Sequence, residues 1–181
     1  MFDNTALIVI DMQQGFDDAR FGRRNNPDCE TNVTALIEAW RSKGRPLVYV
    51  RHDSTEEESV LAPGGAGNAF KDAVSGEADL LVTKSVHSAF YGRPNLDDWL
   101  QEQKIGEVAI CGIQTNVCCE TTARMASDLG YTVLFVADAM FTFDAKGPDG
   151  ETVSAEDLTR ATCASLEGEF AAVMSTAELV S

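Results

Sequence analysis

Histidine is nearly absent from this chain. Only His52 and His87 occur in 181 residues. No paired spacing joins them into the ligand pattern of a metal site, so no metal and no other cofactor is expected. Basic residues are also few: 14 Lys and Arg stand against 29 Asp and Glu, for a net charge of −15. That balance argues against non-specific attraction to nucleic acid or to an anionic membrane. No apolar run reaches the ~18 residues that a membrane span needs. Met1-Phe2-Asp3-Asn4 lacks the basic and apolar regions of a secretory signal, so a cytoplasmic location is the expectation. No Cys-x-x-Cys pair occurs among the five cysteines, at positions 29, 111, 118, 119 and 163. An odd count without a secretion signal fits reduced thiols better than a disulfide framework. Pro63-Gly64-Gly65-Ala66-Gly67-Asn68 is glycine-rich. It lacks the third glycine of a dinucleotide fingerprint and any Gly-Lys-Ser/Thr, which leaves a flexible loop.

What is present is a core. Hydrophobic residues make up 44% of the chain and charged residues 24%, the profile of a globular domain, and the length suits one domain over residues 1–181. Thr5-Ala6-Leu7-Ile8-Val9-Ile10 is an unbroken apolar run, as in a strand buried on both faces of a parallel sheet. Similar strands are expected over residues 46–50, 79–83, 108–111, 132–136 and 170–174. Between them lie helical patterns. Val33, Leu36, Ile37 and Trp40 form one apolar stripe, with Asn26-Pro27 as its expected start and Gly44 as its end. Leu96, Trp99 and Leu100 form a second stripe, and Leu158, Ala161, Thr162, Ser165 and Leu166 a third. Strand and helix alternate throughout, which predicts an α/β fold with helices on both faces of a parallel sheet. Residues 53–79 and 140–152 are read as loops, the first a candidate lid. Thr176 is a candidate cap for a final helical turn.

In such sheets, ligands bind outside the carboxyl ends of the strands. Several polar residues stand at those ends. Asp11 closes the first strand. Arg51-His52-Asp53 follows the second, with Arg51 equally suited to a substrate carboxylate or a structural partner. Lys84 closes the third. After the fourth come Gly112-Ile113-Gln114-Thr115-Asn116-Val117-Cys118-Cys119 and a helical pattern that runs to Leu129 and stops at Gly130. A thiol near the start of a helix has its thiolate favoured, and the thiolate is the nucleophile. Neighbours on a helix point ~100° apart, so only one of the two cysteines can face a common partner.

Ile10-Asp11-Met12-Gln13, Lys84 and Gly112-Ile113-x-Thr115-x-x-Cys118 together resemble the isochorismatase-like cysteine hydrolase superfamily, whose members include nicotinamidases, N-carbamoylsarcosine amidohydrolases and ureidoacrylate hydrolases. The resemblance runs to about Asp138. It implies a single-domain Rossmann-like three-layer sandwich with a six-stranded parallel sheet in the order 3-2-1-4-5-6. It also implies a catalytic triad of Asp11, Lys84 and Cys118, a cis peptide at Ile113–Gln114, and an oxyanion hole from the N–H groups of Gln114 and Cys118. The family motif assigns Cys118 rather than Cys119 as nucleophile. Nicotinamidases carry an Asp-x-His metal motif where this chain reads Val50-Arg51-His52, so a metal-free hydrolase of a small amide, carbamoyl or ureido compound is expected, working through a thioester. Phe16, His52, His87 and Phe90 are candidate pocket residues. A small-molecule substrate and a homo-oligomer are the expected partners. The alternatives are an isochorismatase-type vinyl ether hydrolase, which the cysteine disfavours, and a redox or binding protein that uses Cys118-Cys119 without hydrolysis.

Overall fold

The computed structural model describes residues 4–181. Strand β1 (Thr5–Ile10) is buried along its whole length, as its apolar run requires. It lies at the centre of a six-stranded parallel sheet with β2 (Leu47–His52), β3 (Leu80–Lys84), β4 (Glu107–Ile113), β5 (Thr132–Phe141) and β8 (Ala172–Met174). The strand order is β3-β2-β1-β4-β5-β8. Helices α1 (Cys29–Ser42) and α5 (Thr176–Val180) cover one face. Helices α2 (Leu96–Glu102), α3 (Glu120–Asp128) and α4 (Ala155–Leu166) cover the other. A short hairpin, β6 (Ala145–Lys146) with β7 (Thr152–Val153), lies apart from the main sheet. No helix among the described residues is long and apolar enough to cross a membrane.

The two faces of the sheet carry two cores. Leu7 and Val9 pack with Val33, Leu36, Ile37 and Trp40 of α1. Ala6, Ile8 and Ile10 pack toward Leu100, Ala123 and Leu166. Alternation along a strand forces this division. Trp40 is fully buried and still donates its ring N–H to the Thr5 carbonyl at 2.8 Å, which satisfies the one polar atom that its burial would strand.

Several local expectations change. Helix α1 starts at Cys29, two residues beyond Pro27. Asn26 is not its cap. Instead the Asn26 side chain donates to the carbonyls of Asp138 and Met140, at 2.8 and 2.6 Å. Asp138 lies where the β4–β5 register slips, between Ile110/Phe135 and Gly112/Met140, a break in the ladder that side-chain donors can fill. The same irregularity carries β5 on to Phe141, where a loop was expected. The final helix is capped by Ser175 and Glu178 in a reciprocal capping box rather than by Thr176.

Residues 53–79 have little regular structure, yet they are fastened rather than free. Lys71 N–H donates to the Met12 carbonyl, and Gln14 N–H to that of Ala69. The backbones of Gly15 and Gly67 meet so closely that a Cβ on Gly67 would lie 2.8 Å from the Gly15 Cα and 2.3 Å from the Val60 carbonyl oxygen. Both contacts need glycine. Beneath the site, Gly112 has φ 128°, and a Cβ there would meet the Ile10 carbonyl oxygen at 2.0 Å. The last turn of β4 therefore lies directly against the strand that carries Asp11.

Candidate active site

Three strand ends and one irregular helical turn build the site. Asp11 follows β1, with φ 50°, in the left-handed region that few residues other than glycine adopt. Its N–H is held by the Val50 carbonyl at 2.9 Å and its carbonyl accepts from Gln13 N–H at 2.7 Å. Backbone strain of this kind concentrates at functional sites. Lys84 ends β3, two strands away from β1. Crossing two inter-strand spacings means covering about 10 Å, a gap that a lysine and an aspartate can close from its two sides. In β2, which lies between them, His52 pairs in register with Lys84, so the lysine reaches Asp11 by passing His52.

Cys118 lies in a π-helical turn, Thr115–Cys119, that precedes α3. A plain α-helical first turn was the expectation. In the structure, Val117 N–H and Cys119 N–H both donate to the Gln114 carbonyl, each at 3.2 Å, so the turn is one residue wider and the Cys118 N–H is not among the donors to that carbonyl. Wide turns of this type recur at functional sites. The Ile113–Gln114 peptide just before it is cis.

The polar atoms converge. Lys84 Nζ donates to Asp11 Oδ2 at 2.6 Å and to Cys118 Sγ at 3.5 Å, and lies 3.3 Å from His52 Nδ1. His87 Nδ1 approaches Cys118 Sγ at 3.9 Å. Asp11 and Lys84 are buried, and Cys118 is only 7% exposed. The second carboxylate oxygen, Asp11 Oδ1, is buried without a hydrogen-bond partner among the described residues. Asp11, His52 and Cys118 each offer a ligand atom, all within 4.8 Å of one another. The Lys84 ammonium contacts all three residues, so the charge that a cation would bring to these donors is already supplied.

Electrostatics set the resting protonation. Burial, then the Asp11 charge, push the Cys118 thiol from the ordinary 9.0 up to about 12, against the opposing pull of Lys84. At rest the group is a thiol, not the stabilised thiolate that a helix start suggests. Burial favours the neutral amine of Lys84, but the Asp11 carboxylate and then Cys118 outweigh it and hold the ammonium above the ordinary 10.5. Burial, then the Lys84 charge, lower the His52 ring below the ordinary 6.5.

These shifts carry a stability signature. Burial raises the thiols of Cys29, Cys111 and Cys119 as well. Below the ordinary thiol range both folded and unfolded chains keep these protons, and stability is fully present. Above it the unfolded chain ionises first, so stability falls as pH rises toward the folded values. Lys84 acts in the same direction, because its stabilising charge is lost only at high pH. The expected result is a urea midpoint that drops steeply between about pH 8 and pH 10.5. A flat midpoint over that window would contradict the buried-thiol assignment.

A family model of the isochorismatase domain matches residues 5–178. The chain belongs to the isochorismatase family. YrdC, an isochorismatase family protein of Bacillus subtilis, is 34% identical over 181 residues, covering 99% of this chain and 96% of its own. A crystal structure of an isochorismatase-family protein from Chromobacterium violaceum superposes with a TM-score of 0.93 at 36% identity, covering 98% of this chain and 92% of that one. A protein named cysteine hydrolase from Pseudomonas syringae pv. phaseolicola gives a TM-score of 0.88 at 28% identity, with 98% and 91% covered. The fold and the hydrolase class of this isochorismatase-family chain follow from these matches.

The candidate pocket residues fall into two groups. His52 and His87 contact the Asp11–Lys84–Cys118 cluster directly. His87 also lines an open, mostly apolar cleft with Val86, Tyr91 and Thr121. Phe16 packs tilted against Phe21 and stacks on Phe143, at centroid distances of 5.2 and 6.4 Å, in the core on the α1 face, whereas Cys118 belongs to the core on the opposite face. Phe90 is buried and stacks on Tyr131 at 5.9 Å. Arg51 binds Asp53 at 2.8 Å, the structural one of its two readings. Cys119 is completely buried, with no exposed surface. Two residues escaped sequence reasoning: Gln13 and Asn68, whose side chains grip the His52 backbone. Gln13 was visible as the second residue after Asp11. Nothing in the 53–79 segment singles out Asn68.

Proposed function

We propose that this isochorismatase-family hydrolase is a metal-independent cysteine amidase that cleaves a C–N bond of a small amide, carbamoyl or ureido compound. The observation that carries the reading is the convergence of Cys118 Sγ, the Asp11 carboxylate and Lys84 Nζ in a nearly closed site. A thiol with its pKa near 12 needs a base at the moment of attack, and Asp11 is that base. The Cys118 proton passes to Asp11 as sulfur bonds to the substrate carbonyl carbon. Lys84 offsets the charge on both groups. The oxyanion is held by the N–H groups of Gln114, just before the π-helical turn, and of Cys118, inside it. As the tetrahedral intermediate collapses, the C–N bond breaks and Asp11 returns the proton to the departing nitrogen. Asp11 then takes a proton from water, whose oxygen attacks the thioester; as the C–S bond breaks, Asp11 passes that proton to the departing sulfur, which restores the Cys118 thiol and the Asp11 carboxylate. The relative named a cysteine hydrolase supports the nucleophile assignment.

The test is a panel of small amides, carbamoyl compounds and ureides assayed for ammonia release, with intact-protein mass spectrometry of acid-quenched reactions. The expected result is turnover of at least one class, with an acyl adduct mapped to Cys118. Turnover that persists with the adduct on another residue, or with none forming in burst experiments, would remove the reading.

A further inference from the structure

The triad chemistry leaves His52 without a task, yet its ring touches Lys84 and its backbone is held by two side chains. A lysine ammonium has three N–H donors and no lone pair. Lys84 has three polar neighbours for them: Asp11 Oδ2 at 2.6 Å, His52 Nδ1 at 3.3 Å and Cys118 Sγ at 3.5 Å. In the His52 contact the ammonium can only donate, so Nδ1 is the acceptor and carries no proton. Burial and the Lys84 charge keep the ring neutral at neutral pH. A neutral imidazole with a bare Nδ1 carries its hydrogen on Nε2, on the side of the ring away from Lys84.

The backbone of the same residue is clamped. Gln13 Oε1 accepts from His52 N–H at 2.8 Å, and Gln13 Nε2 donates to the His52 carbonyl at 3.0 Å. Asn68 Nδ2 donates to the same carbonyl at 3.1 Å and also ties the carbonyl of Leu61 and the carboxylate of Asp53. Gln13 is fully buried. The fastened 53–79 segment thus acts on the site through Asn68. Fixing a side chain at both backbone and ring suits a group that must present one hydrogen in one direction.

We propose that His52 is a specificity-determining donor: its Nε2–H hydrogen-bonds an oxygen acceptor that the substrate carries beyond its scissile carbonyl. The preferred substrates are therefore small amides or ureides with a second carbonyl oxygen. This substrate class rests on the amidase reading; the tautomer and the donor role do not.

Two measurements test it. Nitrogen-15 NMR of the ligand-free native protein at neutral pH should show His52 as the Nε2–H tautomer. An Nδ1–H tautomer or an imidazolium overturns the proposal. Binding is then measured by calorimetry on the Cys118→Ala protein, which cannot form a thioester, with malonamide and its near-isostere butyramide. Malonamide should bind about tenfold more tightly, the effect of one well-placed hydrogen bond, and adding His52→Phe should erase that preference. Equal binding, or a preference that survives without His52, overturns it. If the native protein hydrolysed no amide, the amidase reading would fail alone, because neither measurement depends on turnover.

Discussion

Replacing Cys118 with alanine is expected to lower amide turnover by roughly 10^5-fold, the scale seen when a covalent nucleophile is removed, while the fold persists. The physical argument is one of position. Cys118 Sγ is the sulfur that touches Lys84 and His87, and it shares a 4.8 Å cluster with Asp11 and His52. Alanine deletes one atom from a site where Lys84 and Asp11 still pair, so no buried charge loses its partner. Cys119→Ala is the matched control. That thiol is completely buried, its pKa is pushed well above the ordinary range by burial and then by Cys118, and its loss should cost about 1 kcal/mol of packing with turnover nearly unchanged. Steady-state ammonia release and thermal unfolding of the two variants check both halves. Comparable loss of activity in the two would point to the vicinal pair acting together, and would sink a single-nucleophile mechanism.

Lys84→Met should damage stability and activity together, and a double variant should separate them. The Lys84–Asp11 pair is fully buried on both sides. Removing the ammonium leaves a carboxylate with both oxygens short of partners, since Asp11 Oδ1 has none among the described residues. Breaking a buried pair in this way costs about 3–5 kcal/mol. Adding Asp11→Asn removes the stranded charge. Asn tolerates the left-handed backbone, φ 50° at this position, as readily as Asp. The double variant should therefore recover most of the lost stability and none of the activity, because the base is gone. Urea unfolding ranks the three proteins, and ammonia release reads the rest. A double variant less stable than Lys84→Met alone would show that the pair is not the source of the cost, and a double variant that still turns over would place the base elsewhere.

Much of this site is legible in the sequence. Asp11 and Lys84 stood out because each closes a run of apolar residues, and a charge at the end of a buried strand is brought to the rim where parallel sheets bind ligands. Cys118 stood out by its motif. The strand order followed from the resemblance and is the one observed. Local geometry was less legible. Asn26 and Pro27 form a plausible helix start by local preference alone, yet Asn26 is recruited by two carbonyls more than 100 residues away, and no local rule contains that demand. How far the Cys118 thiol is raised was not legible either: burial and the Asp11 charge push it up, and both are properties of the packed site. Phe16 and Phe90 were candidate pocket residues, and the sequence did not show that each also packs on an aromatic neighbour, Phe21 and Tyr131.

The sequence by itself determined the alternation of strands and helices, the two-sided burial of β1, and the identity of the three groups that meet at the strand ends. The first two follow from hydrophobic period, which is local, and the three groups from charges placed at strand ends together with the family motif that singles out Cys118. Only the tertiary structure decided that Lys84 spans two strands to reach Asp11, that it meets His52 on the way, and that Cys118 sits in a wide helical turn rather than a plain α-helical one. Those depend on strand register, on the close approach of Gly112 to Ile10, and on distances between residues tens of positions apart. A contact of that kind exists only once the sheet has closed.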